Sequence, residues 1–427
     1  MADGSLGALE AARAEAWATP LEAIDVSVED RFAADTIWPF FERLRKEDPV
    51  HWCADTPLGA YWSITRFADI VEVEVNHEVF SSAKGISIYD GPQSGEAPAG
   101  GPEGGEFKLD MFIAMDPPKH DVQRKTVAPI VSGPNMRLLE PIIRERCGKI
   151  LDELPIGEPF DWVDRVAVEL TSQMLATLFG FPFEERRKLI WWSDLTTTDM
   201  SDQMTMEEAR AELIGCGMYF MDLWNKAKAA PPRNELISML AHGEATQDMP
   251  FMEFLGNILL LIVGGNDTTR NSISGGVLAL NQYPDEYDRL RADPSLVALM
   301  VPEIIRWQTP VAHMRRTATA DFELAGKTIR AGDKVVMWYA SANRDEALFE
   351  DANAFRIGRE RPRQHAAFGF GIHRCVGMRL AEMQLKMLWE EIMKRFPTIE
   401  VVGEPVRLKS NFLRAIRKMD VIIPSRL

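Results

Sequence analysis

The sequence of residues 368–377 is FGFGIHRCVG, and the residues after it place apolar side chains at helical spacing. Cys375 is therefore predicted to stand at the N-terminus of an amphipathic helix. Unpaired backbone N–H groups and the positive end of the helix dipole favour a thiolate there, because they lower the pKa of the thiol. A metal ligand requires this property.

Glycines at positions 369, 371 and 377 surround this cysteine. Because glycine has no Cβ atom, the backbone can lie close to a flat cofactor and direct its amides at the sulfur. A single protein thiolate suits haem iron. A lone cysteine at a helix start is usually buried and inert, but Phe368, His373 and the spaced glycines together favour the metal ligand.

The same ten residues match the haem-binding loop of the cytochrome P450 superfamily, Phe-x-x-Gly-x-His/Arg-x-Cys-x-Gly, at every position. The chain is therefore identified as resembling that superfamily. The resemblance implies haem b with Cys375 as the axial thiolate ligand and O2 as co-substrate. It also implies that His373 lies near a haem propionate and that Phe368 packs against the thiolate side of the ring.

A second motif lies about 110 residues upstream, in a predicted long helix over residues 250–283 that is interrupted by GGNDTT at residues 264–269. An opening there would let dioxygen and water sit beside Asp267 and Thr268, an acid and an alcohol that can pass protons. The motif resembles the oxygen-activation motif of the superfamily. That resemblance implies that Gly264 and Thr268 border the haem, that Thr268 stabilises reduced oxygen and that Asp267 relays the protons for O–O cleavage.

A set of cationic and donor residues completes the predicted cofactor site. His120 and Arg124 stand one helical turn apart after a proline start and so point the same way. The resemblance implies that they hold a haem propionate together with His373 and Arg316, for which the fork geometry of arginine is suited. Arg315 is the alternative to Arg316.

Glu303 and Arg306 are three residues apart on one predicted helix face, which is ordinarily a solvated pair of small effect. The superfamily carries such a pair at this place, completed by an arginine before the cysteine loop. The resemblance therefore implies a structural ion network of Glu303, Arg306 and Arg359.

Helical periodicity dominates the chain, for example over residues 137–154, 163–179 and 376–396, whereas strand patterns cluster at residues 50–64 and 322–338. The predicted fold class is mainly α with a small β part. The resemblance implies a single-domain cytochrome P450 fold over residues 35–427, with the haem between the long helix and the cysteine loop. Residues 1–34 carry no motif, and their order is left open.

The composition excludes several classes of protein. Of the 427 residues, 46% are hydrophobic and 26% charged, which is typical of a soluble globular chain, and the net charge of −16 argues against nucleic acid or an anionic membrane as partner. The longest apolar run is too short for a membrane span. Four scattered cysteines without a Cys-x-x-Cys pair argue against a disulfide framework or a cysteine-rich zinc site. Because no secretory signal is recognised, we expect a cytoplasmic protein.

A narrower resemblance concerns the substrate. The sequences GGNDTTRN (264–271) and PVAHMRRTAT (310–319) and the helix after Cys375 are similar to a bacterial group that hydroxylates the terminal carbon of medium-chain alkanes and fatty acids. The glycine-rich residues 91–105 lie where that fold has its lid, and we expect them to be mobile without substrate. The expected pocket residues, most of them apolar, are Ile86, Ile88, Leu260, Val263, Gly264, Val311, Ala312, His313 and Met314.

Electrons must come from outside, since the chain has no flavin or nicotinamide fingerprint. The resemblance implies a separate ferredoxin with its reductase, docked near Arg361, Arg363, Arg374, Arg379 and Lys386. Three alternatives remain open at this point. They are a P450 hydroxylase of a terpenoid or steroid-like substrate, a non-catalytic haem-thiolate ligand sensor, and a hydrolase with Cys375 as nucleophile and His365 or His373 as base.

Overall fold

Amphipathic and fully apolar helical segments bury their apolar faces against one another and form most of the fold. The computed structural model describes residues 2–89, 109–198, 200 and 203–427. Its α-helices are α1 (Ala2–Ala18), α2 (Glu29–Ala33), α3 (Trp38–Glu47), α4 (Phe67–Val75), α5 (Lys119–Val127), α6 (Gly133–Asp152), α7 (Glu169–Phe179), α8 (Arg187–Thr197), α9 (Met206–Lys228), α10 (Leu236–His242), α11 (Phe251–Gln282), α12 (Pro284–Ala292), α13 (Val297–Gln308), α14 (Tyr339–Ala342) and α15 (Met378–Met393).

The β part is small and lies in separate sheets. The strands are β1 (Val50–Cys53), β2 (Tyr61–Ile64), β3 (Phe80–Ser81), β4 (Phe160–Asp161), β5 (Met314–Ala318), β6 (Phe322–Leu324), β7 (Lys327–Ile329), β8 (Lys334–Met337), β9 (Glu400–Val401), β10 (Val406–Arg407), β11 (Ile416–Lys418) and β12 (Asp420–Ile422). The largest sheet has the order β1-β2-β8-β5-β3, in which β2 and β8 are parallel and the other neighbours antiparallel. The predicted fold class, mainly α with a minor β part, is confirmed.

Helix α11 forms the centre of the helical layer and packs against α7, α8, α9, α13 and α15. The expected interruption at residues 264–269 is wrong, because α11 continues through these residues. Each glycine costs about 1 kcal/mol of helix propensity. Ile262, Asn266 and Asp267 are buried on either side of these two glycines and hold the helix in place. Tertiary packing of this kind outweighs the low helix propensity of glycine.

The N-terminal residues pack on the sheet side of the protein. Ala12 and Ala16 of α1 are buried in a cluster with Phe40 and Phe41 of α3 and with Trp338. The expected lid, residues 91–105, lies outside the described residues. Within the described part of the chain, no helix combines the length and the apolar character that crossing a bilayer needs.

Candidate active site

Cys375 lies where the cysteine loop meets α15. The loop is closed by a hydrogen bond from the Cys375 amide to the Phe368 carbonyl (2.8 Å), and α15 begins at Met378, two residues later than the apolar pattern predicts. The sulfur lies in the wall of a cavity that extends to α11. Burial raises the pKa of the thiol, and the amides of Gly377 and Met378 and the charge of Arg124 oppose it. The lowering expected from the helix start is therefore present in the contributions of these amides, but desolvation of the thiol is the larger contribution.

Two loop glycines have backbone angles that favour glycine. Gly369 has φ +62° and Gly371 has φ +61°. A Cβ atom on Gly371 would also overlap the carbonyl oxygen of Glu74, since α4 approaches the loop here. These glycines therefore keep the loop close to α4 and leave its other side open to the cavity.

The predicted donor set lies together on the wall of this cavity: His120, Arg124, Arg316 and His373 all line it. The His120 and His373 rings stand edge to face, 4.4 Å apart between centroids. His120 Nε2 and His373 Nδ1 are buried and have no hydrogen-bond partner in the described residues. Buried polar atoms of this kind require partners, and the carboxylates of a haem would supply them.

The ambiguity between two neighbouring arginines is resolved by strand geometry. Arg316 lines the cavity, whereas Arg315 lies near Ser87 and Tyr89, with 3.4 Å between its Nη1 and each of their carbonyl oxygens. Both belong to β5, in which successive side chains point to opposite faces. Of the two arginines, Arg316 is therefore the one on the cavity wall.

The two residues of the oxygen motif face different surroundings. Thr268 lines the cavity, and its Oγ1 donates to the Gly264 carbonyl (2.9 Å). Asp267 points away from the cavity: Oδ2 accepts from Ser193 (2.7 Å) and Oδ1 pairs with Arg270. Burial raises the pKa of Asp267, while Arg270 and Ser193 lower it in part. The acid and the alcohol are thus adjacent in sequence, but only the alcohol borders the cavity.

The predicted ion network is present and buried. Glu303 accepts two hydrogen bonds from Arg306, at 2.7 Å each, and one from Arg359 Nε at 2.9 Å. Arg306 also donates to the carbonyls of Asn343 and Ala352. The network therefore ties α13 to the segment that leads into the cysteine loop.

The expected pocket residues divide into two groups. Leu260, Gly264, Val311 and Met314 line the cavity, whereas the structure places the others elsewhere, namely Ile86, Ile88, Val263, Ala312 and His313. The expectation that these five residues line the pocket is therefore wrong.

His313 shows the physical reason for this correction. Its Nδ1 pairs with the Asn411 carbonyl (2.9 Å) and its Nε2 with the Ile88 amide (3.0 Å), which buries the ring behind the cavity wall. Ile88 and Ala312 belong to the apolar cluster on that far side.

Other lining residues carry no motif that sequence reasoning could have used. They come from the residues before α5, from α7 and from α14, and include Phe112, Ile113, Met174, Leu175, Leu178 and Tyr339. Aliphatic residues in these elements look like ordinary core residues, and only their packing brings them to the cysteine.

Comparisons with known proteins agree with this geometry. The family model described as Cytochrome P450 matches residues 202–422. Linalool 8-monooxygenase from Pseudomonas putida is 36% identical over 94% of this chain and 99% of its own. Two solved structures are also similar, and each aligns over 93% of this chain and 98% of its own. Cytochrome P450-153 from Novosphingobium aromaticivorans has 44% sequence identity and a TM-score of 0.85. CYP153D17 from Sphingomonas sp. PAMC 26605 has 46% sequence identity and a TM-score of 0.87.

The chain belongs to the cytochrome P450 family and is a haem-thiolate monooxygenase. Its cofactor is haem b with a cysteine thiolate ligand, its co-substrate is O2, and it requires a redox partner. Cys375 and the four donor residues around the same cavity fit this group. A hydrolase with Cys375 as nucleophile is thereby excluded.

Proposed function

We propose that this monooxygenase hydroxylates the terminal carbon of medium-chain n-alkanes or fatty acids, with electrons from a separate ferredoxin in the cytoplasm. The narrower sequence resemblance gives the substrate class. The lining of the cavity supports it.

One observation carries the proposal: aliphatic side chains from two segments of the chain line the cavity that Thr268 also lines. Leu260 and Leu261 precede Thr268 on α11, and Val311 and Met314 lie in the segment after α13. A hydrocarbon chain gains roughly 0.8 kcal/mol for each CH₂ buried against such a surface. A primary C–H bond is stronger than its secondary neighbours, so selectivity for the terminus has to come from geometry that presents only the methyl group.

When bound, the thiolate-ligated haem supplies O2 activation and the insertion of one oxygen atom into a C–H bond. Thr268 contributes a hydroxyl whose Oγ1 can exchange its bond to the Gly264 carbonyl for one to a ligand in the cavity. The raised pKa of Asp267 brings its carboxyl closer to neutral pH, which suits a group that takes up and releases protons.

A buried path connects Asp267 with the protein surface. Ser193 donates to Asp267, and the adjacent Asp194 pairs with Arg270 (3.1 Å) and with the partly exposed Arg417 (2.9 Å). Ion pairs through Arg270 and Asp194 thus link Asp267 Oδ1 with the partly exposed Arg417. Asp267 faces α8, so passing a proton to Thr268 requires its side chain to turn.

Product analysis tests the proposal directly. The haem-loaded protein would be supplied with a surrogate ferredoxin and reductase and with n-octane or dodecanoic acid. We expect 1-octanol or 12-hydroxydodecanoic acid as the main product, and a mixture dominated by internal alcohols would contradict the proposal.

Thr268 distinguishes an oxygenase from a ligand sensor. Replacing Thr268 with Ala should lower the product formed per electron consumed and raise hydrogen peroxide, whereas Thr268→Ser, which keeps the hydroxyl, should restore coupling. Ligand binding to the haem should persist in both variants. A sensor would form no product in any of them.

The electron donor is proposed from charge near the cysteine loop. Arg361, Arg363, Arg374, Arg379 and Lys386 are all exposed there, which favours an acidic partner such as a ferredoxin. Arg363→Glu should slow reduction by ferredoxin at low salt. The matched control is Arg330→Glu, another exposed arginine with a different location, and an equal effect of both changes would contradict this docking site.

A terpenoid substrate is the second candidate. The relative from Pseudomonas putida is named for linalool, a terpenoid alcohol. An aliphatic cavity accepts such a molecule as well, and product formation from a terpenoid but from neither n-octane nor dodecanoic acid would favour it.

A further inference from the structure

Glu74 is a buried carboxylate beside the cofactor cavity that no motif identifies. It lies in the last turn of α4, and its side chain is only 1% exposed. A buried carboxylate is costly unless donors and an opposite charge surround it. Its partners therefore indicate what it holds in place.

Three donors from three different segments converge on this carboxylate. Oε1 accepts from the hydroxyl of Tyr339 and from Arg316 Nη2 (3.3 Å), and Oε2 accepts from the backbone amide of Phe370 (3.0 Å). Arg316, Tyr339 and the neighbouring Gly369 all line the cavity. Glu74 thus joins α4, β5, α14 and the cysteine loop at one point.

The contacts leave Arg316 able to bind a further carboxylate. Its guanidinium donates to the Arg315 carbonyl (2.8 Å) and to Glu74, and a guanidinium has about five N–H donors in all. Burial raises the pKa of Tyr339 well above its ordinary value, with Glu74 acting in the same direction, so Tyr339 stays a neutral donor. The negative charge of Glu74 is therefore offset mainly by Arg316.

We infer that Glu74 is a positioning residue of the haem site, which fixes Arg316 and the cysteine loop and whose charge lowers the reduction potential of the bound haem. Reduction of ferric haem adds one negative charge to the site. A nearby carboxylate opposes the added negative charge. When Glu74 is neutralised, the positive charge of Arg316 is no longer balanced and favours reduction.

Glu74→Gln tests the charge with little change of shape. The midpoint potential of the haem-loaded protein, measured by spectroelectrochemistry, should shift to a more positive value. We expect the equilibrium constant for one-electron reduction to rise about ten-fold, which corresponds to about 59 mV. The matched control is Glu72→Gln, which removes the same charge from the exposed side of the same helix and should leave the potential unchanged.

Tyr339→Phe keeps the inference testable if Glu74→Gln does not yield a folded protein. This change removes a donor and leaves the carboxylate, so its negative charge is less dispersed and the potential should shift the opposite way. Equal shifts in Glu74→Gln and Glu72→Gln would overturn the inference. A positive shift in Tyr339→Phe would overturn it as well, because loosened packing rather than charge would then be the cause.

Discussion

Replacing Glu303 with Gln should strongly destabilise the fold, and its magnitude follows from the buried ion network. Glu303 and Arg306 are each 1% exposed, and the carboxylate accepts from Arg306, from Arg359 and from the Arg356 amide. Glutamine keeps one acceptor oxygen. In its best orientation the amide nitrogen takes the place of Oε2 and faces Arg306 Nε, so one charge-assisted bond is lost and the two arginines lose their counter-charge.

Breaking a buried pair in this way costs about 3–5 kcal/mol. The unfolding entropy of a 427-residue chain is about 0.9 kcal/mol per kelvin, so the melting temperature should fall by about 3–6 °C.

Circular dichroism melts of the haem-loaded protein provide the assay. The control is Glu145→Gln, which removes a carboxylate from an exposed pair with Lys149 on α6 and should shift the melting temperature by less than about 1 °C. The reasoning is refuted if Glu303→Gln melts within about 1 °C of the wild-type protein.

Two further predictions concern stability. Burial lowers the pKa of His313 from 6.5 to about 4, so the unfolded state binds a proton at this residue more readily than the folded state does. The free energy of unfolding should therefore fall by up to about 3 kcal/mol as the pH drops from 6.5 to 4. Urea denaturation at pH 7 and pH 5 should show a smaller loss for His313→Gln, and an unchanged loss would count against this assignment. Gly256→Ala on α11 should lower the melting temperature, because its Cβ would overlap the carbonyl oxygen of Asp110. The control is Gly215→Ala on α9, an exposed position whose Cβ would meet no other atom within 4 Å and which should not lower the melting temperature; equal shifts of the two variants would contradict this difference.

The sequence predicts the features that local chemistry and spacing determine. The cysteine loop and the long helix follow from residue types at fixed separations, whereas the partners of Glu303 follow from the resemblance to the cytochrome P450 superfamily. The strand β5 was not predicted, because Arg315 and Arg316 lie in its middle and charged residues are unusual in a buried strand. Only their buried hydrogen-bond partners make these two arginines acceptable there.

Side-chain direction is what the sequence predicts least well. Val311 and Met314 line the cavity, but Ala312 and His313 between them do not, since the backbone turns their side chains to the other side. Likewise, Asp267 is adjacent to Thr268 and yet faces α8, because Ser193 and Arg270 provide its donors there. These partners are distant in sequence or look like ordinary surface residues.

The absorption spectrum of the ferric protein during titration with n-octane tests the central claim most directly. Terminal hydroxylation requires that the hydrocarbon chain enter the cavity that Cys375 lines, where it would change the spin state of a thiolate-ligated haem. We predict a thiolate-type haem spectrum that shifts from low to high spin with n-octane and responds less to a cyclic terpenoid of similar size. A shift with the cyclic terpenoid but none with n-octane would contradict the proposed substrate class, and the absence of a thiolate-type spectrum would contradict the role of Cys375.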